Sequence, residues 1–479
     1  MRKIKHIIIG LLSCYKLHLP SLSLMRIALA IVILLDLIFR CSDIEAFYTD
    51  QGIWPKTVVY NFAWSRGYWS FHLIFDTYLW NGILFGFHFL LALLLLLGYR
   101  TQLVTASLWL FTVSLHNRNL FILQSGDDLL RLTLLWAIFL PWGKHYSMDA
   151  KHHRKGFYLT RMASMGYLIL IASVYTFTVL LKNSNEWRVD GTAIYYALSL
   201  EQIRLPITGD FVYQFPSLMR ALTYVVYVIE CLIPILLLWP SKRKWLRRSA
   251  FMCVLFLHVG IALTLYVGLF PFICMAVSIG FLPKANKLEN FMNKIFAEPL
   301  PLRISKPFHP FFTKAWQYIL GFVICICLFI NLEQLQFFNY QLRDEVYFFG
   351  NALRLNQNWG MFSPDVLKKD GWLVYHGVDS LGRQWDLRRN EDYVDYTKPK
   401  HIVSQYKNDR WRKLAENMQN DNFTFLRPKY CRYILNHWKK QHPEKKMELL
   451  NLYFMEKENL PDYKTTTVKK SLYCICNYD

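Results

Sequence analysis

Residues 249–283 read SAFMCVLFLHVGIALTLYVGLFPFICMAVSIGFLP, a run without any aspartate, glutamate, lysine or arginine. A membrane-spanning helix needs about 20 largely apolar residues, so this run is too long for a single crossing. Gly268 and Pro271 lie near its middle, and proline in particular interrupts a helix. The run therefore predicts two spans, 249–267 and 269–283, with a short break between them.

Seven further apolar runs lie on either side of this stretch, at 21–40, 78–98, 102–116, 128–143, 157–181, 219–239 and 316–332. Hydrophobic residues make up 54% of the chain and charged residues 19%, against about 45–50% and 25% in soluble proteins. This composition excludes a disordered chain and disfavours a purely soluble enzyme. We predict a mainly α fold, a polytopic transmembrane helix bundle of eight or nine spans over residues 1–332.

Lysine and arginine are concentrated in four segments outside the predicted spans, namely the N-terminus, 144–155, 242–248 and 284–314. With nine spans all four lie on one side of the membrane, and positively charged loops mark the cytoplasmic side. The segments then expected outside are 41–77, 117–127, 182–218 and everything after 333. The first 16 residues are interpreted as an uncleaved leader lying at the membrane interface.

The residues from Glu333 onward have a different pattern, with 24 lysines and arginines against 19 aspartates and glutamates. Most of the net charge of +21 therefore belongs to the membrane part, where topology explains it and no nucleic-acid partner is needed. Helices are predicted at 404–420 and 426–441, and strands at 371–377, 384–388, 447–456 and 466–476. We predict a soluble α+β domain over residues 333–479 on the outer side.

Five of the ten cysteines fall inside predicted spans, where they are interpreted as small packing residues. Four others, Cys41, Cys431, Cys474 and Cys476, are expected outside, where disulfides persist. A bridge from Cys41 to one of the C-terminal cysteines is open, and the sequence does not select its partner. No spacing typical of a zinc site is present, and no metal is predicted.

Polar residues surround the predicted turn between spans 102–116 and 128–143, namely His116, Asn117, Arg118, Asp127, Asp128 and Arg131. Ionisable residues at membrane depth are costly and usually face the interior of a bundle. Two interpretations are open. One is a structural charge cluster in which an arginine caps an aspartate, and the other is the polar wall of a substrate cavity.

Lys182 ends the span 157–181 and is followed by Glu186 and Trp187. One interpretation is a lysine that extends its ammonium group into the headgroup region. The alternative is a lysine in an apolar pocket under Trp187, where desolvation favours the neutral amine and makes it a competent base.

His258 lies midway along the span 249–267, where a lone histidine is costly unless it is hydrogen bonded. A structural and a functional role are equally compatible with that position. Asp76, His88 and Glu230 are similar isolated polar residues, and we interpret each of them as structural.

Six short motifs together resemble a known family. They are FYTDQGIWP at 47–55, LHNRN at 115–119, GDDLLR at 126–131, LPWGKHYSMD at 140–149, WRVDGTAIYY at 187–196 and NWGMFSPD at 358–365. In combination they are similar to the HTTM family, whose membrane domain is shared with vitamin K-dependent gamma-glutamyl carboxylase. The resemblance covers about residues 20–390.

The resemblance implies a lyase that couples epoxidation of reduced vitamin K by O2 to carboxylation of glutamate in an exported peptide with CO2. Lys182 matches the family's lysine base, which deprotonates the hydroquinone, and His258 matches a histidine that binds or polarises the quinone. His116, Asn117, Arg118 and Trp187 are implied to line the quinone pocket. The chain departs from the animal enzyme at Arg118, where that enzyme has histidine, and it is much shorter.

A second hypothesis is a non-catalytic membrane scaffold or maturation factor that holds exported proteins through its C-terminal domain. Transport ranks third, because the polar groups gather at one face of the membrane and no inverted repeat is visible. The form of the motifs implies a bacterial cytoplasmic membrane with a cytoplasmic N-terminus. In a eukaryotic membrane the outer side would be the lumen, and Asn422 would lie in a glycosylation motif.

Overall fold

The computed structural model describes residues 14–62, 66–150, 158–159, 162–284, 290–291, 294, 314–335 and 341–477. Within these residues the chain is mainly helical, with a small antiparallel sheet near the C-terminal end. Most of the leader predicted at residues 1–16 lies outside the described residues.

The α-helices of the described residues are numbered here in chain order. The first ten are α1 (Leu19–Cys41), α2 (Ile44–Tyr48), α3 (Lys56–Phe62), α4 (Tyr78–Leu97), α5 (Thr101–Arg118), α6 (Ser125–Ala137), α7 (Met162–Leu181), α8 (Asn185–Arg188), α9 (Ala193–Ser199) and α10 (Thr208–Tyr213). The others are α11 (Pro216–Leu238), α12 (Lys244–Thr264), α13 (Phe270–Ser278), α14 (Lys314–Glu333), α15 (Asp344–Ala352), α16 (Asp409–Gln419) and α17 (Leu426–Gln441).

Five of these helices, α1, α4, α7, α11 and α12, are long and apolar enough to cross a membrane. They are consistent with an integral membrane protein. The break predicted at Gly268 and Pro271 is confirmed, because α12 ends at Thr264 and α13 begins at Phe270. Gly268 has a φ of 60°, a left-handed conformation that glycine adopts without steric cost.

The five helices are fewer than the eight or nine spans predicted from the sequence. Each predicted run does overlap a helix, but some of these helices are too short or too polar to cross a membrane by themselves. The run 128–143 is the clearest difference, because α6 ends at Ala137 and has 13 residues. At about 1.5 Å per residue, such a helix is too short to cross the hydrocarbon core.

The membrane-type helices pack into one continuous core. Helix α11 packs between α7 and α12, and α1 packs against α4. Helices α6 and α7 approach closely, because a side-chain carbon at Gly166 would lie 2.5 Å from the ring of Trp136. This packing brings the C-terminal end of α7 beside the middle of α11.

The strands are β1 (Leu17–His18), β2 (Tyr158–Leu159), β3 (Lys369–Asp379), β4 (Gln384–Asp386), β5 (Met447–Glu458) and β6 (Lys469–Asn477). Strands β1 and β2 pair with each other, and the other four form an antiparallel sheet in the order β4-β3-β5-β6. The four strands and the helix at 426–441 that the sequence predicts in the tail are confirmed. Helix α17 packs against β5 and β6.

The helix predicted at 404–420 begins later than expected, at Asp409. Residues Ile402–Gln405 form a short 3-10 turn instead. The side chain of Asn408 accepts hydrogen bonds from the backbone N–H groups of Arg410 and Trp411, which caps α16 at that point.

Candidate functional site

A cavity of about 1630 Å³ lies between α7, α11, α12 and the segment 354–365. Its wall is mainly apolar, and a few polar side chains interrupt it, among them Tyr175, Lys182, Glu230 and His258. A large apolar cavity with a few polar groups is the usual form of a small-molecule site.

The cavity has an apolar side and a polar side. Ile207, Phe211, Phe256 and Leu263 contribute to its wall and are also more than half exposed at the protein surface. The exposed apolar residues surround a lateral face of the kind that hydrocarbon would cover. The polar side is contributed partly by the C-terminal region, through Lys413, Glu416 and Asn417 of α16 together with Asn358.

Lys182 follows the last residue of α7 and is 3% exposed. Its Nζ donates to both carboxylate oxygens of Glu230, at 2.8 Å and 2.7 Å. It also lies 3.9 Å from the ring centre of Trp187. The structure therefore does not match a lysine that reaches the headgroups. It places Lys182 in an apolar cavity beside Trp187, as the alternative predicts, but with the buried carboxylate of Glu230 opposite its charge.

Glu230 is the functional candidate that the sequence reasoning missed. It lies on α11, 48 positions after Lys182, and the sequence alone favours a structural role for it. Its position inside an apolar helix was the available signal, because an ionisable residue at membrane depth implies a partner or a function. Sequence spacing gives no means of connecting it to Lys182, since the contact depends on how α7 packs against α11.

His258 also lies on the cavity wall, in the second half of α12. Its Nε2 is 3.0 Å from the hydroxyl group of Tyr175, which lies six residues before the end of α7. Its Nδ1 is buried and has no hydrogen-bond partner among the described residues. An unpaired buried nitrogen is costly, so this position is suited to a polar group of a ligand.

The segment 358–365, one of the motifs quoted above, forms part of the cavity wall close to Lys182. The carbonyl of Trp359 accepts a hydrogen bond of 3.0 Å from Thr178 of α7. The carbonyl of Phe362 accepts a hydrogen bond of 2.8 Å from the indole of Trp187. Trp187 therefore lines the cavity as expected from the resemblance, and the loop fixes its orientation.

His116, Asn117 and Arg118 do not line this cavity. Asn117 donates to the carbonyl of Trp69 at 2.7 Å, and Arg118 donates to the carbonyl of Trp54 at 2.6 Å. All three side chains are at most 1% exposed. His116 approaches Arg131 at 3.3 Å. The three residues therefore lie in the packed interior at the end of α5, and their place in a quinone pocket stays a prediction.

Asp128 and Arg131 form the salt-bridged cap that was one of the two interpretations, with a distance of 2.8 Å. Asp127 instead belongs to a buried network that the sequence did not predict. Its carboxylate contacts Arg40 of α1 at 2.7 Å and Arg410 of α16 at 2.8 Å. Asp36 joins the network through 2.7 Å and 2.8 Å contacts to the same two arginines.

No family model, curated protein or solved structure matches this chain.

Proposed function

We propose that the chain is an integral membrane enzyme of the vitamin K-dependent gamma-glutamyl carboxylase type. It would couple epoxidation of a reduced quinone to carboxylation of glutamate in an exported peptide. The observation that carries the proposal is the buried Lys182–Glu230 pair on the wall of a large apolar cavity. Burying an ion pair costs free energy. Its position beside a space large enough for a ligand favours a functional role.

The residues of the cavity fit a reduced quinone. The apolar wall suits an aromatic ring with a hydrocarbon tail, and the exposed apolar side offers entry from lipid. His258 has an unpartnered Nδ1 that a quinone oxygen would satisfy. When bound, the hydroquinone would supply a strong base for removing the γ-proton of glutamate through its oxidation by O2 to epoxide and water.

Lys182 and Glu230 would act together as a proton-holding pair. Moving one proton from the ammonium group to the carboxylate gives an amine and a carboxylic acid without changing the net charge of the cavity. In that form Lys182 is a base that can accept a proton from a hydroquinone hydroxyl group. Trp187 would hold the lysine chain in place, and Tyr175 would orient His258 through its hydroxyl group.

The polar side of the cavity would receive the peptide. Lys413 lies there on α16 and pairs with Glu416 at 2.6 Å, so a glutamate carboxylate arriving from the C-terminal domain would replace Glu416 as the partner of this cation. This requires an odd number of membrane crossings, with the tail outside a bacterial cytoplasmic membrane and the N-terminus in the cytoplasm. The positively charged loops support that orientation.

The test is to incubate the purified full chain in nanodiscs with reduced vitamin K, O2 and bicarbonate and to follow quinone epoxide by chromatography. Lys182→Arg is the sharpest variant, because it keeps the positive charge opposite Glu230 but cannot be deprotonated in a protein. We expect epoxide from the wild type and at least a hundredfold less from Lys182→Arg and Lys182→Ala.

Lys368→Ala is the matched control. Lys368 also pairs with a glutamate, Glu186, at 3.0 Å, but it is 39% exposed and does not line the cavity. It should keep near-wild-type turnover. Full turnover in a folded Lys182→Arg variant would exclude Lys182 as the base, and no epoxide from folded wild type would exclude the quinone reaction.

A non-catalytic scaffold is the second candidate, and the Lys182–Glu230 geometry itself is an argument for it. A lysine that donates to both oxygens of one carboxylate is also suited to holding two helices together. In that case exported client proteins would co-purify with the chain and would remain bound to Lys182→Arg, while no epoxide would form.

A further inference from the structure

Three cysteines of the C-terminal region lie together, and none of them lines the cavity. Cys431 is on α17, and Cys474 and Cys476 are on β6. Their sulfur atoms all lie within 4.8 Å of one another. Cys431 is fully buried, Cys476 is 8% exposed and Cys474 is partly buried. The group is therefore largely shielded from solvent.

The fold brings these residues together by a simple pattern. Cys474 and Cys476 are two positions apart on a strand, so their side chains point to the same face of the sheet. They pair with Leu452 and Leu450 of β5. Helix α17 covers this face and places the sulfur of Cys431 3.5 Å from the carbonyl of Leu450.

Backbone carbonyls and two arginines surround the sulfurs. The thiols of Cys474 and Cys476 donate to the carbonyls of Arg427 and Pro428, at 3.2 Å and 3.7 Å. The guanidinium groups of Arg427 and Arg432 place positive charge near the group, which would offset the charge of thiolates that form when a metal binds. Thiolates, and not thiols, are the form that binds metals.

We propose that Cys431, Cys474 and Cys476 form a three-thiolate binding site for a soft metal ion, and that Cu(I) is the ion it fits. With metal–sulfur bonds of about 2.3 Å, three sulfurs around one ion lie roughly 4 Å apart, within the spacing of this group. Soft thiolate ligands select Cu(I), zinc and iron–sulfur clusters. Structural zinc takes four protein ligands, and the group in the described residues offers three.

A disulfide would engage only two of these three sulfurs. Two positions along a strand separate Cα atoms by roughly 6.6–6.8 Å, at the upper limit for a disulfide. A bond between Cys474 and Cys476 is therefore disfavoured. Any disulfide would include Cys431 and leave the third sulfur buried without a covalent partner. A metal ion engages all three, and Arg427 and Arg432 offset the charge of the thiolate complex.

The experiment uses the full chain, purified in detergent under reducing conditions and loaded with Cu(I) from a competing chelator of known affinity. The amount of bound metal is measured by elemental mass spectrometry, and its ligands are identified by X-ray absorption spectroscopy. We expect one Cu(I) per chain with three sulfur neighbours. Cys476→Ser and Cys474→Ser should each lower the affinity at least tenfold while the far-ultraviolet circular dichroism stays unchanged.

Cys41→Ser is the matched control, because Cys41 is exposed and is not part of the group. It should bind Cu(I) like the wild type. Equal Cu(I) affinity in wild type and Cys476→Ser would overturn the site. Preferential retention of Zn(II) over Cu(I), or an air-formed disulfide from Cys431 that persists in the presence of Cu(I), would overturn the copper assignment. None of these readouts depends on quinone chemistry.

Discussion

Two buried charge assemblies show how differently the chain uses ionised groups. The first is the network of Asp36, Arg40, Asp127 and Arg410, in which each arginine contacts both aspartates. The second is the pair of Lys182 and Glu230. Both are nearly inaccessible to solvent, but only the pair lies on the wall of the large cavity.

The two assemblies differ in whether a proton can be transferred. The network is closed, because guanidinium groups keep their protons in proteins and the planar fork fixes the carboxylates in place. It joins α1 and α6 to α16, so it attaches the C-terminal region to the membrane-type helices. The pair contains a lysine, whose proton can be transferred, and it is adjacent to space for a ligand. We therefore propose that buried charge stabilises the fold in the network and serves proton transfer in the pair.

Breaking the network should have the largest effect on stability. Arg410→Ala would leave Arg40 as the one remaining arginine of the network to balance the negative charges of Asp36 and Asp127. Removing one partner from a buried ionic assembly costs about 3–5 kcal/mol. We expect a large fall in the thermal unfolding temperature of the detergent-solubilised protein. An unchanged unfolding temperature would mean that the network does not hold the two regions together.

The pair should give a different result in a double-mutant cycle. Lys182→Met or Glu230→Leu alone leaves an unpaired buried charge, and each should cost about 3 kcal/mol. The combined variant removes both charges and should be more stable than either single variant. Its quinone turnover should remain absent. Stability losses that simply add would contradict a direct interaction between the two groups.

Whether a feature of the fold or the site could be predicted from the sequence depends on how far apart its residues lie along the chain. The break at Gly268 and the paired strands of the tail follow from local pattern, and Asp128–Arg131 follows from a spacing of three residues on one helix. The contacts Lys182–Glu230 and Asp127–Arg410 span 48 and 283 positions. Their existence depends on helix packing, which apolar periodicity does not determine.

Asp370 offers a contrast to Asp127, because the cation beside this buried carboxylate lies closer to another carboxylate, that of Glu201. The nearest lysine nitrogen, on Lys457, is 3.9 Å away, while backbone N–H groups of Glu201 and Gln202 donate to it. Burial is the main cause that raises the pKa of Asp370 from 3.8 to about 6. Between these values the folded state holds more protons than the unfolded state, so stability falls as pH rises from about 4 to 6.

Asp370→Asn should remove this component of the pH dependence. The shift corresponds to about 3 kcal/mol between the two ends of the window. The measurement is the unfolding free energy of wild type and variant at pH 4, 5 and 6 in the same detergent. The wild type should lose stability relative to the variant across this range, and a constant difference between them would contradict the assignment.

The smallest effect is expected where the same two regions meet at the surface. Lys440 of α17 contacts Glu45 of α2 at 2.7 Å, but the two side chains are 57% and 36% exposed. Water and salt screen such a pair, so Lys440→Ala should cost less than about 1 kcal/mol. Measuring the thermal unfolding temperatures of Lys440→Ala and Arg410→Ala side by side gives a matched test, because both variants remove a cation of the C-terminal region that contacts the first 50 residues. If the surface variant proved as destabilising as the buried one, burial of the charges would not be the reason for the strength of the network.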